Sequence, residues 1–180
     1  RWATAKSAEF RRNATELVAL APDVILAHGS SPVAALLEVT RNVPIVFPVA
    51  IDPVGAGHVD SLARPGGNVT GFAGIEYGMA GKWLELLKEI APSVTRAAII
   101  RDPAISAGIG QFGSIASAAP SFRTEVTPVN VRDPAEIERA ISAFAHAPNG
   151  GLIVTASGLA AEHRNLIVSL AARHKLPAVY

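Results

Sequence analysis

An alternation of two apolar patterns restricts this chain more than any other feature. Continuous apolar runs (Val24 to Ala27, Pro44 to Val49, Ala97 to Ile100 and Gly151 to Thr155) are separated by segments whose apolar residues recur at helical spacing. Unbroken runs of this kind fit parallel strands covered on both faces, because a strand with one wet face alternates apolar and polar residues. Parallel neighbours need crossover connections. Right-handed crossovers through helices give an open α/β sheet with helices on both faces. A short strand, Asn68 to Phe72, follows the turn signal Arg64-Pro65-Gly66-Gly67, and Ala178-Val179-Tyr180 begins a last one.

The helices carry their own start and stop signals. Phe10, Ala14, Leu17, Val18 and Ala21 repeat helically until Pro22, Ser31-Pro32 opens a helix to Thr40, and Asp52-Pro53 offers another start. Met79, Trp83, Leu86, Leu87 and Ile90 share one stripe, which reads as a core-facing side and places Trp83 in the core. Asp133-Pro134-Ala135-Glu136 combines an N-cap acid, a proline at the first helical position and a glutamate three residues after the cap. Ile137, Ala140, Ile141 and Phe144 are the buried face of that helix. One long helix after Thr155 buries Leu166, Ile167, Leu170 and Ala171.

The glycine-bearing stretch Ala73 to Gly78 has no periodicity and reads as the crossover between two lobes, 1–73 as part of an N-terminal lobe and 74–180 as the second. A length of 180 residues suits that division, and 49% hydrophobic against 17% charged residues describes a chain that buries a core. Arg1 at a helix approach and Tyr180 inside a strand read as the ends of a central segment of a longer protein.

Charge and cysteine content exclude whole classes of function. Sixteen basic against fifteen acidic residues leave a net charge of +1, and Arg11-Arg12 is the only adjacent basic pair, so no concentrated positive face exists for nucleic acid. With no cysteine there is no disulfide framework, thiolate metal site or cysteine nucleophile. No apolar run reaches the roughly 18 residues of a membrane span.

Ligands of open α/β sheets sit outside the carboxyl ends of the strands, beside helix N-termini. Four loops qualify: His28 to Ser31, Ala50-Ile51-Asp52, Arg101-Asp102-Pro103 and Thr155-Ala156-Ser157. Ser30, Ser31 and Ser157 can hydrogen-bond a carboxylate or hydroxyl, His28 stands at a strand end, and Asp52 or Asp102 can pair with an ammonium group. Ser31, Asp52, Asp102 and Ser157 equally fit helix N-caps that satisfy their own backbone.

Other chemistries fit poorly, and no catalytic, cofactor or metal residues are assigned. Asp52-Pro53-Val54-Gly55-Ala56-Gly57, with Glu76 as a ribose acid, imitates a dinucleotide fingerprint but carries Asp60 where the third glycine belongs. There is no GxxxxGK[ST] loop, and Gly29-Ser30-Ser31 lacks the closing glycine of a nucleophile elbow. His28, His58, His146, His163 and His174 lie on separate elements without paired ligand spacing. Tyr77, Trp83 and Phe112 are the aromatic residues that could stack on a planar ligand.

At Ser61-Leu62-Ala63-Arg64-Pro65-Gly66-Gly67-Asn68-Val69-Thr70-Gly71 the sequence resembles the ABC-transporter substrate-binding proteins of the tryptophan/tyrosine-type family. Pro44 to Phe47 leading to Asp52-Pro53-Val54, then Lys82, Leu84 to Leu87 and Pro92, and finally Ala171 to Ala178, extend the resemblance over essentially the whole chain. It implies the type I periplasmic-binding-protein fold: two Rossmann-like lobes with parallel sheets, closing on a ligand that a membrane permease then receives. It also implies a leader, a β-α-β segment ahead of Arg1 and a C-terminal portion returning to the first lobe. Asp102-Pro103 stands where Asn-Pro is common, and Pro120 shortens the helix that begins near Ser106. The RPGG run itself is a turn device.

The expected function is that of an extracytoplasmic solute receptor, periplasmic or lipid-anchored. It binds a small polar or zwitterionic ligand, amino acids among the candidates, between Ser30 and Ser31 of one lobe and Asp102 and Ser157 of the other, without chemistry. The rivals are a nucleotide- or sugar-nucleotide-dependent α/β enzyme and the effector-binding core of a transcriptional regulator. An exposed sheet edge predicts dimerisation or strand exchange.

Overall fold

The computed structural model describes residues 7–180, so Arg1 lies outside the described residues. The chain divides into two compact units between Glu76 and Tyr77. The sequence reading places the boundary after Ala73; the residues just beyond it stay with the first unit, where the Gly74 amide donates to the Ala50 carbonyl (2.7 Å) and the Asp52 amide to the Ile75 carbonyl (2.8 Å).

The first unit runs α1 (Ser7–Ala19), β1 (Ile25–Leu26), α2 (Ser30–Val39), β2 (Ile45–Ala50) and β3 (Val69–Ala73). Its sheet has the order β1-β2-β3 and is parallel throughout. Ile25, Ile45 and Val69 are in register and, with Phe47, pack against Ala14 of α1 and Val33 and Leu36 of α2. The expectation that the run Val24 to Ala27 is covered on both faces is not met. Both helices of this unit serve the Ile25 face, so residues of opposite parity look away from the core: Leu26 is 72% exposed and Phe72 73%. The strand is correspondingly short.

The helix start expected at Asp52-Pro53 is a series of turns instead. Asp52 has φ 39° and its Oδ1 accepts from the Gly55 amide at 2.7 Å. A helix N-cap needs extended backbone, which a left-handed residue does not supply. The following loop is closed by the Asp60 amide donating to the Pro65 carbonyl (3.0 Å) and the Arg64 amide to Ser61 Oγ (3.0 Å). Gly66 has φ 83°, and a Cβ there would run into the Asp60 carboxylate, so the turn requires glycine. Asn68, just beyond, donates from Nδ2 to the Val43 carbonyl (2.7 Å) and steers the chain into β3.

The second unit opens with a 3-10 turn, Tyr77–Ala80, followed by α3 (Gly81–Ile90), β4 (Arg96–Arg101) and α4 (Ser106–Ala118). A 3-10 turn containing Pro120 (Ala119–Phe122) ends α4, and β5 (Glu125–Asn130), α5 (Pro134–Ala145), β6 (Gly150–Val154), α6 (Gly158–Glu162), α7 (Arg164–Arg173) and β7 (Ala178–Val179) follow. The parallel order is β5-β4-β6-β7. Here both faces are covered. Ala98 and Ile100 of β4 pack with Ile137, Ile141, Ile167 and Leu170, while Ala97 and Ile99 pack with Leu84, Leu87 and Ile115. This is the arrangement in which unbroken apolar strands are stable.

Two helices differ from the sequence reading. Leu87 is buried as the stripe predicts and Trp83 is half-buried against the same core, but Leu84 is the other buried residue of α3, whereas Met79, Leu86 and Ile90 are exposed. The single helix expected after β6 is divided at His163 (φ −97°, ψ 15°), and α7 alone buries Ile167, Leu170 and Ala171. The Asp133 cap forms as expected, its Oδ1 accepting from the Glu136 amide at 2.9 Å. Among the described residues no helix is long and apolar enough to cross a membrane.

Candidate ligand-binding loops

In the first unit the loops after β1 and β2 are fastened to each other. The Ser30 hydroxyl accepts from the Ile51 amide (3.0 Å) and donates to the Ile51 carbonyl (3.3 Å), and the Gly29 amide donates to the Val49 carbonyl (3.0 Å). Gly29 is the N-cap of α2, so Ser30 and Ser31 lie in its first turn and Ser31 is not the cap. Ser30 thus acts first as a clamp between two strand-end loops. Ser31 is half-buried beside it, and His28 is exposed at the end of β1. Asp52 belongs to the same strand-end group but closes its own turn.

His58 enters this group from a direction the sequence did not indicate. Its ring is hydrogen-bonded with the Ser30 backbone, an interaction that favours the charged imidazolium, but desolvation outweighs it and lowers the pKa below the ordinary histidine value. Its Nε2 is buried without a hydrogen-bond partner. A histidine with a lowered folded-state pKa binds fewer protons when folded than when unfolded, so stability rises with pH across the interval between the two values. We therefore expect the first unit to lose thermal stability as pH falls through about 6.5, a loss that levels off below the folded-state pKa. In thermal melts from pH 8 to pH 5, His58→Gln flattens this dependence; an unchanged profile for the variant removes His58 as its source.

In the second unit the predicted residues lie at the carboxyl ends of β4 and β6, which are neighbours. Asp102 is buried, and its Oδ1 accepts from the Ala104 amide at 2.9 Å. It forms a local turn and is not the cap of α4, a position held by Ile105. Ser157 caps α6, its Oγ accepting from the Ala160 amide at 3.0 Å. Between them Thr155 is buried, with its hydroxyl donating to the Ile100 carbonyl at 2.9 Å. Gln111, reaching over from α4, accepts from the Ala156 amide through Oε1 (3.1 Å). The sequence places Arg101 in a qualifying strand-end loop without giving it a role and does not indicate Gln111, because their contacts depend on register and helix packing.

The candidate residues therefore form two groups, His28, Ser30, Ser31 and Asp52 on the first unit and Asp102 and Ser157 on the second, each at the carboxyl ends of parallel strands. In parallel α/β units ligands sit outside these strand ends, and the fold is the type I periplasmic-binding-protein type. The family described as ABC transporter substrate binding protein matches residues 2–180, and the chain belongs to that family.

Individual relatives agree. A tyrosine-binding protein of Clostridioides difficile is 28% identical over 158 residues, 84% of this chain and 45% of the relative. A Streptococcus pneumoniae ABC domain solved in complex with L-Trp superimposes with a TM-score of 0.86 at 22% identity, covering 96% of this chain and 59% of that one. A conserved domain protein of Vibrio cholerae superimposes with a TM-score of 0.87 at 25% identity, over 96% and 57%. The chain thus spans about half the length of the relatives it matches.

Proposed function

We propose that this chain is the solute-binding portion of an extracytoplasmic, periplasmic or lipid-anchored receptor that hands a small zwitterionic ligand, an amino acid, to an ABC permease without transforming it. The observation that carries the reading is the match of the substrate-binding family across residues 2–180. Two similar proteins with tyrosine and L-Trp in their descriptions support an amino-acid ligand. The hydroxyls of Ser31 and Ser157, the His28 ring and the carboxylates of Asp52 and Asp102 supply the hydrogen-bonding and charged groups for such a ligand, and Ser30 holds its loop in place.

Calorimetry of the intact protein against a panel of aromatic and aliphatic amino acids and small metabolites tests the proposal. The expected result is saturable one-to-one binding of an amino acid that mass spectrometry recovers unaltered. Silence across the panel overturns the receptor reading, and a converted ligand overturns its non-enzymatic part. A separate proposal is that the bare sheet edges of the 180-residue chain support a dimer or strand exchange, read by light scattering on that chain; a monomer at all concentrations removes it.

A further inference from the structure

Arg101 is the last residue of β4 and stands in register with Asn130, the last residue of β5, so its side chain leaves the sheet at the carboxyl end. Two contacts orient the half-buried guanidinium. Nε donates to Asn130 Oδ1 at 3.1 Å, and Cζ lies 4.7 Å from the centroid of the Phe112 ring on α4. Neither partner is anionic. The ion pairs formed among the described residues are Arg11 with Glu38 and Arg173 with Glu138, and neither includes Arg101. Asp102, next along the chain, is buried with Oδ1 accepting from the Ala104 amide. Arg101 is thus held in a fixed plane without a neutralising carboxylate. Because Nε is occupied, the paired Nη groups are left as a fork whose geometry matches the two oxygens of a carboxylate.

A second, independent observation points to the same kind of ligand. Gln111 is fully buried, and because its Oε1 accepts from the Ala156 amide, its Nε2 is the remaining donor; that Nε2 is itself buried and has no hydrogen-bond partner. Ala156 follows β6, the strand beside β4, so this unmet donor belongs to the same sheet end as Arg101. The amino-terminal end of α4, from Ser106, adds the positive end of a helix dipole. A cation, an unmet donor and a helix N-terminus belong to the same end of this sheet, and an acceptor with negative charge complements each of them.

We propose that Arg101 recognises the carboxylate of the ligand, with Asn130 and Phe112 as positioning residues that hold its guanidinium. The assignment rests on the receptor reading above and adds the chemical class of the group bound by the second unit, an organic carboxylate. The rival account is purely structural, in which Arg101 only fastens β4 to β5.

Calorimetry with L-tyrosine and L-tryptophan, and with tyramine and tryptamine as counterparts that lack the carboxylate, separates the two. Arg101→Gln is expected to weaken binding of the amino acids roughly 100-fold, the loss of a charge-assisted bidentate contact, and to leave the amines unchanged. Arg101→Lys recovers only part of the loss, since a point charge replaces the fork. Asn130→Ala keeps the charge but frees its plane, and is expected to weaken amino-acid binding about tenfold; it decides the matter if Arg101→Gln does not fold. Amino-acid affinity unchanged in either folded variant, or acids and amines weakened equally, overturns the assignment while the receptor reading stands. Where the panel gives a different amino acid as ligand, that acid and its decarboxylated amine replace the two pairs; if the unaltered protein binds no member of the panel, both readings fall together.

Discussion

Leu84→Ala is expected to destabilise the second unit by about 3 kcal/mol, while Leu86→Ala on the same helix costs less than about 0.5 kcal/mol. The two leucines differ in their position around α3. Leu84 is fully buried against Ala97, Ile99, Ile115 and Ile153, so truncation removes apolar contact and leaves a cavity that packed β-strand side chains cannot readily fill. Leu86 is 46% exposed, and alanine there trades modest apolar contact for a better helix former. Urea unfolding followed by tryptophan fluorescence with Trp2 replaced by phenylalanine, which leaves Trp83 on the same helix as the reporter, reads both variants in one unit. Equal losses for the two would restore the stripe of Met79, Trp83, Leu86, Leu87 and Ile90 as the buried face and contradict the packing of α3.

The misplaced stripe shows what periodicity does and does not specify. A helix with apolar residues at positions 79, 83, 84, 86, 87 and 90 has more apolar surface than one face can bury, and the spacing fits two overlapping stripes. Only the sheet beneath decides, and it takes Leu84 and Leu87. The run Val24 to Ala27 fails similarly: its composition is that of a strand covered on both sides, but whether the second side is covered depends on where other helices pack. In the second unit the same inference succeeds for β4, because α3 and α4 cover one face and α5 and α7 the other.

Signals confined to a few residues were the most legible. The Asp133 and Ser157 caps form through hydrogen bonds to residues three further on, and the RPGG turn closes on its own loop. Asp52 and Asp102 also behaved locally, but as turns, since their backbone and the positions of the helix starts differ from what capping requires. Ser30 bonded to Ile51, His58 against Ser30, Gln111 on Ala156 and Arg101 beside Asn130 all join residues distant in sequence. Strand order and register create these contacts, and neither is written in spacing.

The sharpest test of the strand-end loop in the second unit is one substitution made twice on α4. Gly113 is exposed with open space around it, so Gly113→Ala is expected to stabilise the unit by about 0.5–1 kcal/mol through helix propensity and a less flexible unfolded chain. Gly108 is buried in the first turn of the helix, and a Cβ there would collide with the backbone carbonyl of Asp102. Backbone cannot step aside as a side-chain tip can, so the strain of overpacking, typically about 1–3 kcal/mol, exceeds the gain in propensity. Gly108→Ala is therefore expected to cost a net amount of about 1 kcal/mol. The displaced loop also carries Arg101 and Asp102, so amino-acid affinity falls with stability in Gly108→Ala and stays constant in Gly113→Ala. Unfolding midpoints and calorimetry on the pair give four numbers; a stabilised Gly108→Ala would mean that α4 does not pack on Asp102 as described, and the placement of this loop would have to be revised.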